Sequence, residues 1–159
     1  MKKAYFIDVK THLLKAGVVL FSLVFQANAA IADCTINSVG VLFSPYSALN
    51  SFPNNSGIGT VTVSCRGADA SPMVSLTTGQ HSSSVQRSMR SPTTPDKLKY
   101  NIFTDSARTI VWGDGRGQGS VVGIQASGVT ILSLYGQIDP GQDAATGDYS
   151  DILTVTVNF

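Results

Sequence analysis

The last thirteen residues, 147–159, read GDYSDILTVTVNF. From Ile152 the alternation is strict. Leu153, Val155, Val157 and Phe159 fall on one side; Ile152, Thr154, Thr156 and Asn158 fall on the other. A period of two, built from β-branched and aromatic residues, is the pattern of a pleated strand. The turn pair Gly147-Asp148 precedes it, and no later strand in this sequence follows to pair with its free edge. A hydrophobic strand with an open edge invites pairing with another strand. The expectation is therefore that an earlier strand of the fold, or another chain, covers it.

The remainder reads the same way. Charged residues make up 13% of the chain, about half the usual ~25%, and Ser, Thr, Gly and Asn fill the polar positions. Short β-runs recur between turn signals. The second run, 58–65, alternates Val61, Val63 and Cys65 against Thr60, Thr62 and Ser64. Further strands are expected at 34–43, 73–78, 98–104, 121–124 and 129–138, with a short apolar segment at 109–112. Residues 45–56 and the serine-rich stretch 80–95 are expected to be loops. Asp139-Pro140-Gly141 is a turn signal, with Pro at i+1 and Gly at i+2. No stretch repeats apolar residues at helical spacing over three turns. Such a series predicts an all-β sandwich.

The first residues are set apart from the fold. Lys2, Lys3, Lys10 and Lys15 precede the apolar run 16–25, AGVVLFSLVF. This run is shorter than the ~20 residues a membrane span needs, and two small-x-small sites follow it, Ala27-Asn28-Ala29 and Ala30-Ile31-Ala32. The pattern is that of a signal peptide over 1–29, with the domain occupying 30–159. Cleavage is expected between Ala29 and Ala30, or as late as between Ala32 and Asp33. Asp33 stands where a lipoprotein acceptor cysteine at position 34 would need a small residue, so lipidation of Cys34 is not expected. The chain holds 11 basic and 10 acidic residues, every acid an Asp. Removing Lys2, Lys3, Lys10, Lys15 and Asp8 leaves seven and nine. Without a basic patch, nucleic acid is not an expected partner.

Two cysteines remain, Cys34 and Cys65. An even count after a signal peptide predicts a disulfide between them. Two thiols alone supply too few ligands for a metal. The sequence offers few candidate catalytic groups. His81, beside Ser82, Ser83 and Ser84, has no orienting acid nearby in sequence. GDGRGQG at 113–119 has no helix after it and reads as a hairpin tip, not a dinucleotide fingerprint. Asp139, Asp143, Asp148 and Asp151 read as turn residues rather than calcium ligands. Asn54-Asn55-Ser56 is formally a glycosylation sequon. Trp112 and Tyr135 are expected in the core or at its rim, the alternative being a sugar-binding role. No cofactor, metal or enzymatic activity is expected.

An ordered set of motifs resembles the spore coat protein U family, whose domain is also that of the archaic chaperone–usher pilins. The set is Cys34; GTVTVSC at 59–65; Arg87 and Met89; LKYNIFTD at 98–105; Trp112-Gly113; YGQI at 135–138; and the final block at 147–159. The resemblance implies an immunoglobulin-like sandwich lacking its final strand. It implies a groove bordered by Leu153, Val155, Val157 and Phe159, filled first by a periplasmic chaperone and then by the N-terminal extension of a neighbouring pilus subunit delivered at an outer-membrane usher. This is β-strand addition, in which backbone bonds supply affinity and side-chain pockets supply specificity. A polymerising pilin also carries an alternating apolar donor segment before its first cysteine. Here only residues 30–33, or Asp33 alone, are expected to remain, so the expectation is a tip or non-shaft subunit. The chain then reads as an exported structural subunit of a surface fimbria or coat, on the cell surface, with roles in adhesion and biofilm. The alternative is a secreted adhesive or carbohydrate-binding β-sandwich module that folds alone.

Overall fold

A computed structural model describes residues 33–67, 71–82, 84–117 and 119–158. The expected signal peptide, the cleavage positions Ala29, Ala30 and Ala32, and the groove position Phe159 lie outside the described residues. Those residues form eight strands and no helix. They are β1 (Asp33–Leu42), β2 (Asn54–Arg66), β3 (Met73–Leu76), β4 (Arg87–Arg90), β5 (Lys97–Phe103), β6 (Val122–Gly123), β7 (Gly128–Ile138) and β8 (Val155–Asn158). Five make one sheet in the order β1-β2-β7-β5-β4, and three make a second in the order β6-β3-β8. Every neighbouring pair is antiparallel. This is an immunoglobulin-like sandwich, with the core between the two sheets.

The alternation read from the sequence places the core. On β2, Val61, Val63 and Cys65 are buried while Thr60 and Thr62 are half-buried and Ser64 is exposed. They join Leu134 and Ile138 of β7 and Leu98, Tyr100 and Ile102 of β5 from the same sheet, and Val74 and Leu76 of β3 from the other, in one buried cluster. Trp112 is completely buried at its centre. Its indole N–H would cost free energy there if left unpaired, and it donates to the Val74 carbonyl at 3.1 Å.

Three boundaries differ from the sequence expectations. The serine-rich stretch 80–95 contains a strand, β4, whose Arg87 and Met89 are both buried. A buried arginine two residues before a buried methionine does not register as an apolar alternation. β2 begins at Asn54, inside the expected loop, because Asn54 already pairs with Ile138 across an irregularity at 54–57. β8 is only four residues long. Ahead of it Ser150 bridges to Arg90 of β4, so the final segment leaves one sheet and joins the other.

Cys34 and Cys65 are direct cross-strand partners of β1 and β2, joined by a disulfide with their Cα atoms 4.1 Å apart. The bond closes a loop of sequence separation 31. In the chain-entropy account such a loop stabilises by roughly 3–4 kcal/mol. Reduction under native conditions is expected to lower the unfolding free energy by that amount, read as a lower urea midpoint, and non-reducing peptide mapping should recover the linked pair. Two alkylatable thiols in the native oxidised protein would contradict it.

Candidate functional site: an apolar groove beside the last strand

The two ends of this sandwich are unequal. β8 pairs with β3 through Val155↔Leu76 and Val157↔Val74, and no strand among the described residues pairs with its other edge. β1 is the opposite terminal strand of the larger sheet. Between β1 and the final segment lies a cleft of about 530 Å³. One wall is residues 38–44 with Tyr46, and the other is 147–151 with Leu153 and Val155. Val61, Leu76, Met89, Leu98, Ile102 and Leu134 form much of the floor. All six are core residues with less than a tenth of their surface exposed. Among the described residues, the hydrophobic core is thus open along a strand edge.

The final segment alternates as its sequence demands: Leu153, Val155 and Val157 are half-buried against the core, and Ile152, Thr154, Thr156 and Asn158 are exposed. Leu153 and Val155 line the groove. Val157 packs on the core further along and is not part of the lining.

The opposite wall was not visible in the sequence. The pairing of β1 with β2 slips between Val39 and Leu42, where an extra residue is accommodated. A bulge re-aims the side chains beyond it, and Val41 and Phe43 turn toward the core. Phe43 lies over the facing pair Gly57↔Gly136. A Cβ at Gly136 would stand 2.5 Å from the Phe43 ring, so glycine on both strands makes room for it. The ring meets Tyr100 edge-on, with centroids 6.2 Å apart.

A polar clamp fixes the start of the other wall. Tyr100 Oη donates to Asp151 Oδ2 at 2.8 Å, and Asp151 Oδ1 accepts from the amides of Gln80 and Ile152, both at 2.9 Å. Gly79, at φ 94°, has no Cβ to obstruct the carboxylate. The completely buried Arg87 donates Nε and Nη2 to the Thr77 carbonyl at 3.0 and 2.8 Å, and Nη2 to the Trp112 carbonyl at 2.6 Å. Thr77 in turn binds Thr154 through both its amide and its hydroxyl. Burial pushes the Tyr100 phenol well above its ordinary value, aided by its bond to Asp151. Burial lowers the Arg87 value, against the attraction of Tyr100 and Asp151. Tyr100 therefore stays a neutral donor.

The other sequence candidates fall elsewhere. His81 is half-buried in a loop, and its carbonyl accepts from Lys97 Nζ at 2.9 Å. Asn54 is held by its own turn, with Oδ1 accepting from the Ser56 amide at 3.1 Å. Tyr135 lies at the sheet surface beneath the Arg108 guanidinium, 6.0 Å from its ring centre. Asp148 lines the groove mouth beside Asp151. The tip at 113–119 closes with the Gly115 amide donating to the Gly119 carbonyl at 3.1 Å. Among the described residues, no group of three or more His, Cys, Asp or Glu is placed to hold a metal. What the groove offers is a strand edge that no strand among the described residues pairs with, beside an apolar floor.

Comparison with known proteins agrees with this architecture. The chain is 31% identical over 74 residues to "Protein U" of Myxococcus xanthus, a match covering 46% of this chain and 40% of that protein. Its fold is similar to a chain in a solved CsuC–CsuE complex, a chaperone–tip adhesion subunit pre-assembly complex from archaic chaperone–usher Csu pili of Acinetobacter baumannii. That likeness has a TM-score of 0.59 at 24% identity and covers 81% of this chain and 40% of the other. The chain thus spans about two fifths of each relative. The sequence model of the Spore Coat Protein U domain matches residues 20–156, nearly the whole length, and the chain belongs to the Spore Coat Protein U domain family.

Proposed function

We propose that this chain is an exported structural subunit of a chaperone–usher type surface fimbria or coat, and that its groove accepts a β-strand from another chain. The observation that carries the reading is the free edge of β8 set beside an open apolar floor. An added strand would pair with that edge through its backbone and place alternate side chains onto the floor. The occupants are a periplasmic pilus chaperone first and a neighbouring subunit afterwards, exchanged at an outer-membrane usher. The work is non-covalent strand exchange rather than catalysis. Residues 1–29 direct export, with cleavage after Ala29 or Ala32. A tip or non-shaft place is the finer proposal, supported by the tip adhesion subunit named in the similar solved complex.

The test is a mixing assay on protein purified with its chaperone. A synthetic strand of alternating apolar residues should displace the chaperone and occupy the groove, with its amides protected from hydrogen exchange. Incubated alone, the protein should form no ladder of SDS-resistant polymers. A stable monomer that needs no chaperone and ignores the peptide would overturn the strand-acceptor reading. Self-polymers would overturn the tip assignment alone.

A further inference from the structure

The turn between β7 and the final segment holds chemistry that the groove does not use. Of the six prolines in the chain, only Pro140 follows an aspartate. The pair comes directly after β7, where the chain bends through Pro140 and Gly141, the latter at φ 66°. An aspartyl–prolyl bond has its own reactivity. The prolyl nitrogen carries no hydrogen, so it cannot close onto the aspartate side chain as a succinimide. A tertiary amide nitrogen also takes up a proton more readily, which makes it the better leaving group. The aspartate carboxyl can then attack its own main-chain carbonyl. The fold prepares both halves of that reaction. The Asp139 carbonyl accepts from Gln142 Nε2 at 2.8 Å. The Gln142 side chain is itself pinned to β5: Oε1 accepts from the Lys99 amide at 2.6 Å, and Nε2 also donates to the Lys99 carbonyl at 2.9 Å. The Gln142 backbone N–H, which in an ordinary turn closes onto the first carbonyl, donates to Tyr46 Oη at 2.7 Å instead. A fixed side-chain donor thus takes the place of the turn's own amide. Asp139 is half-buried, and burial holds its carboxyl above the ordinary value, against the attraction of Lys99. Among the described residues, the neighbouring segments bring Lys99 and Tyr46 to this turn, and Asp143 follows within it.

We propose that the Asp139–Pro140 bond is a self-cleavage site that cuts the final segment, with β8, from the rest of the sandwich. A carboxyl oxygen of protonated Asp139 bonds to the main-chain carbonyl carbon of the same residue, closing a cyclic anhydride. Negative charge grows on the carbonyl oxygen, where the Gln142 donor already stands. The carboxyl proton passes to the Pro140 nitrogen, the C–N bond breaks, and the proline leaves as a secondary amine. Pro140 is exposed, so water reaches the anhydride and opens it. The net change is hydrolysis. Asp139 ends one piece with its α- and β-carboxyls free, and Pro140 begins the other. The reaction acts once, on its own chain, and needs only water. Burial disfavours the charged carboxylate, so Asp139 stays protonated in milder acid than a solvated aspartate. Cleavage therefore speeds up as pH falls through the Asp139 titration and is lost above it. The severed piece stays in place through the pairs of β8 with β3 and the bond between Tyr100 and Asp151. One wall of the groove then becomes a separate peptide, released when the fold opens.

The site does not depend on the strand-acceptor reading and is tested apart from it. The exported, oxidised chain is incubated over a series from mildly acidic to neutral pH, and its pieces are weighed by mass spectrometry under denaturing conditions. One piece should end at Asp139 and the other begin at Pro140. The folded chain should cleave roughly tenfold faster, or more, than the same chain unfolded in urea at the same pH, because a preplaced oxyanion donor is worth at least that. Asp139→Ala should abolish the cut. Gln142→Ala and Gln142→Met, which remove the donor, should each slow it about tenfold or more. Circular dichroism and retention of the disulfide verify folding, and rates are compared only at pH values where each chain is folded. A folded chain that stays intact overturns the proposal, as does an unfolded chain that cleaves as fast. Folded Gln142 variants that cleave at the parent's rate overturn it too. A cut that persists in Asp139→Ala would mean that a contaminating protease makes it.

Discussion

Val155→Asp is expected to abolish capture of a complementing strand, while Thr154→Asp leaves it within a few-fold of the parent. The two positions are adjacent, but the pleat points them to opposite faces. Val155 is half-buried, lines the groove and pairs with Leu76 of β3; Thr154 is exposed. A carboxylate at 155 would be pressed between the apolar floor and the incoming side chains without a partner. At ~3 kcal/mol, toward the lower end of such penalties, the loss of affinity exceeds a hundredfold. Leu153→Asp should act in the same direction. Chaperone co-purification and peptide titration read the effect, with the Cys34–Cys65 link and the β-sheet spectrum as controls for folding. Equal losses at 154 and 155 would contradict the register, because a one-residue slip exchanges the two faces.

Arg87→Ala is expected to destabilise the fold by roughly 3 kcal/mol or more, the largest loss for any polar side chain in this core. The guanidinium is completely buried and serves the carbonyls of Thr77 and Trp112, which sit on segments that β4 does not otherwise reach. Removing it strands both carbonyls inside the sandwich, and each unsatisfied buried group costs about 1–3 kcal/mol. Asp151 would also lose a nearby positive charge, loosening the segment that leads into β8. Arg87→Lys should recover little, because a single ammonium cannot reproduce a planar fork that binds one carbonyl through two nitrogens. Urea unfolding is the measurement, with a lowered midpoint at an unchanged m-value. A change below half a kcal/mol would show that water can replace the guanidinium.

The two experiments address different layers of the molecule. Val155 concerns a surface the fold leaves open, whereas Arg87 concerns how the fold holds that surface in place. Thr77 joins them, since it accepts from Arg87 and binds Thr154 beside the groove. A change at Arg87 should therefore weaken strand capture as well as stability, but a change at Val155 should reach stability far less.

The sequence alone determined what is local. Alternation in 58–65, 98–104 and 152–158 placed strands and chose their inner faces, because a strand's side-chain period of two is a property of a few consecutive residues. The all-β class followed from the same signal repeated between turns. The tertiary structure decided what depends on distant partners. No local pattern shows that β8 pairs with β3 and has no strand on its other edge among the described residues, or that Ser150 first touches β4. The strand at 87–90 was hidden because its inward residues are an arginine and a methionine. That arginine is tolerated in the core only where the carbonyls of Thr77 and Trp112 converge on it. The β1 wall of the groove was hidden too, since Phe43 can turn inward only where Gly57 and Gly136 meet side by side across two strands. Pairing of strand edges and satisfaction of buried polar groups are settled between segments far apart in the chain, and that is why the groove's β1 wall and the strand that β8 joins emerged only when the sheets were assembled.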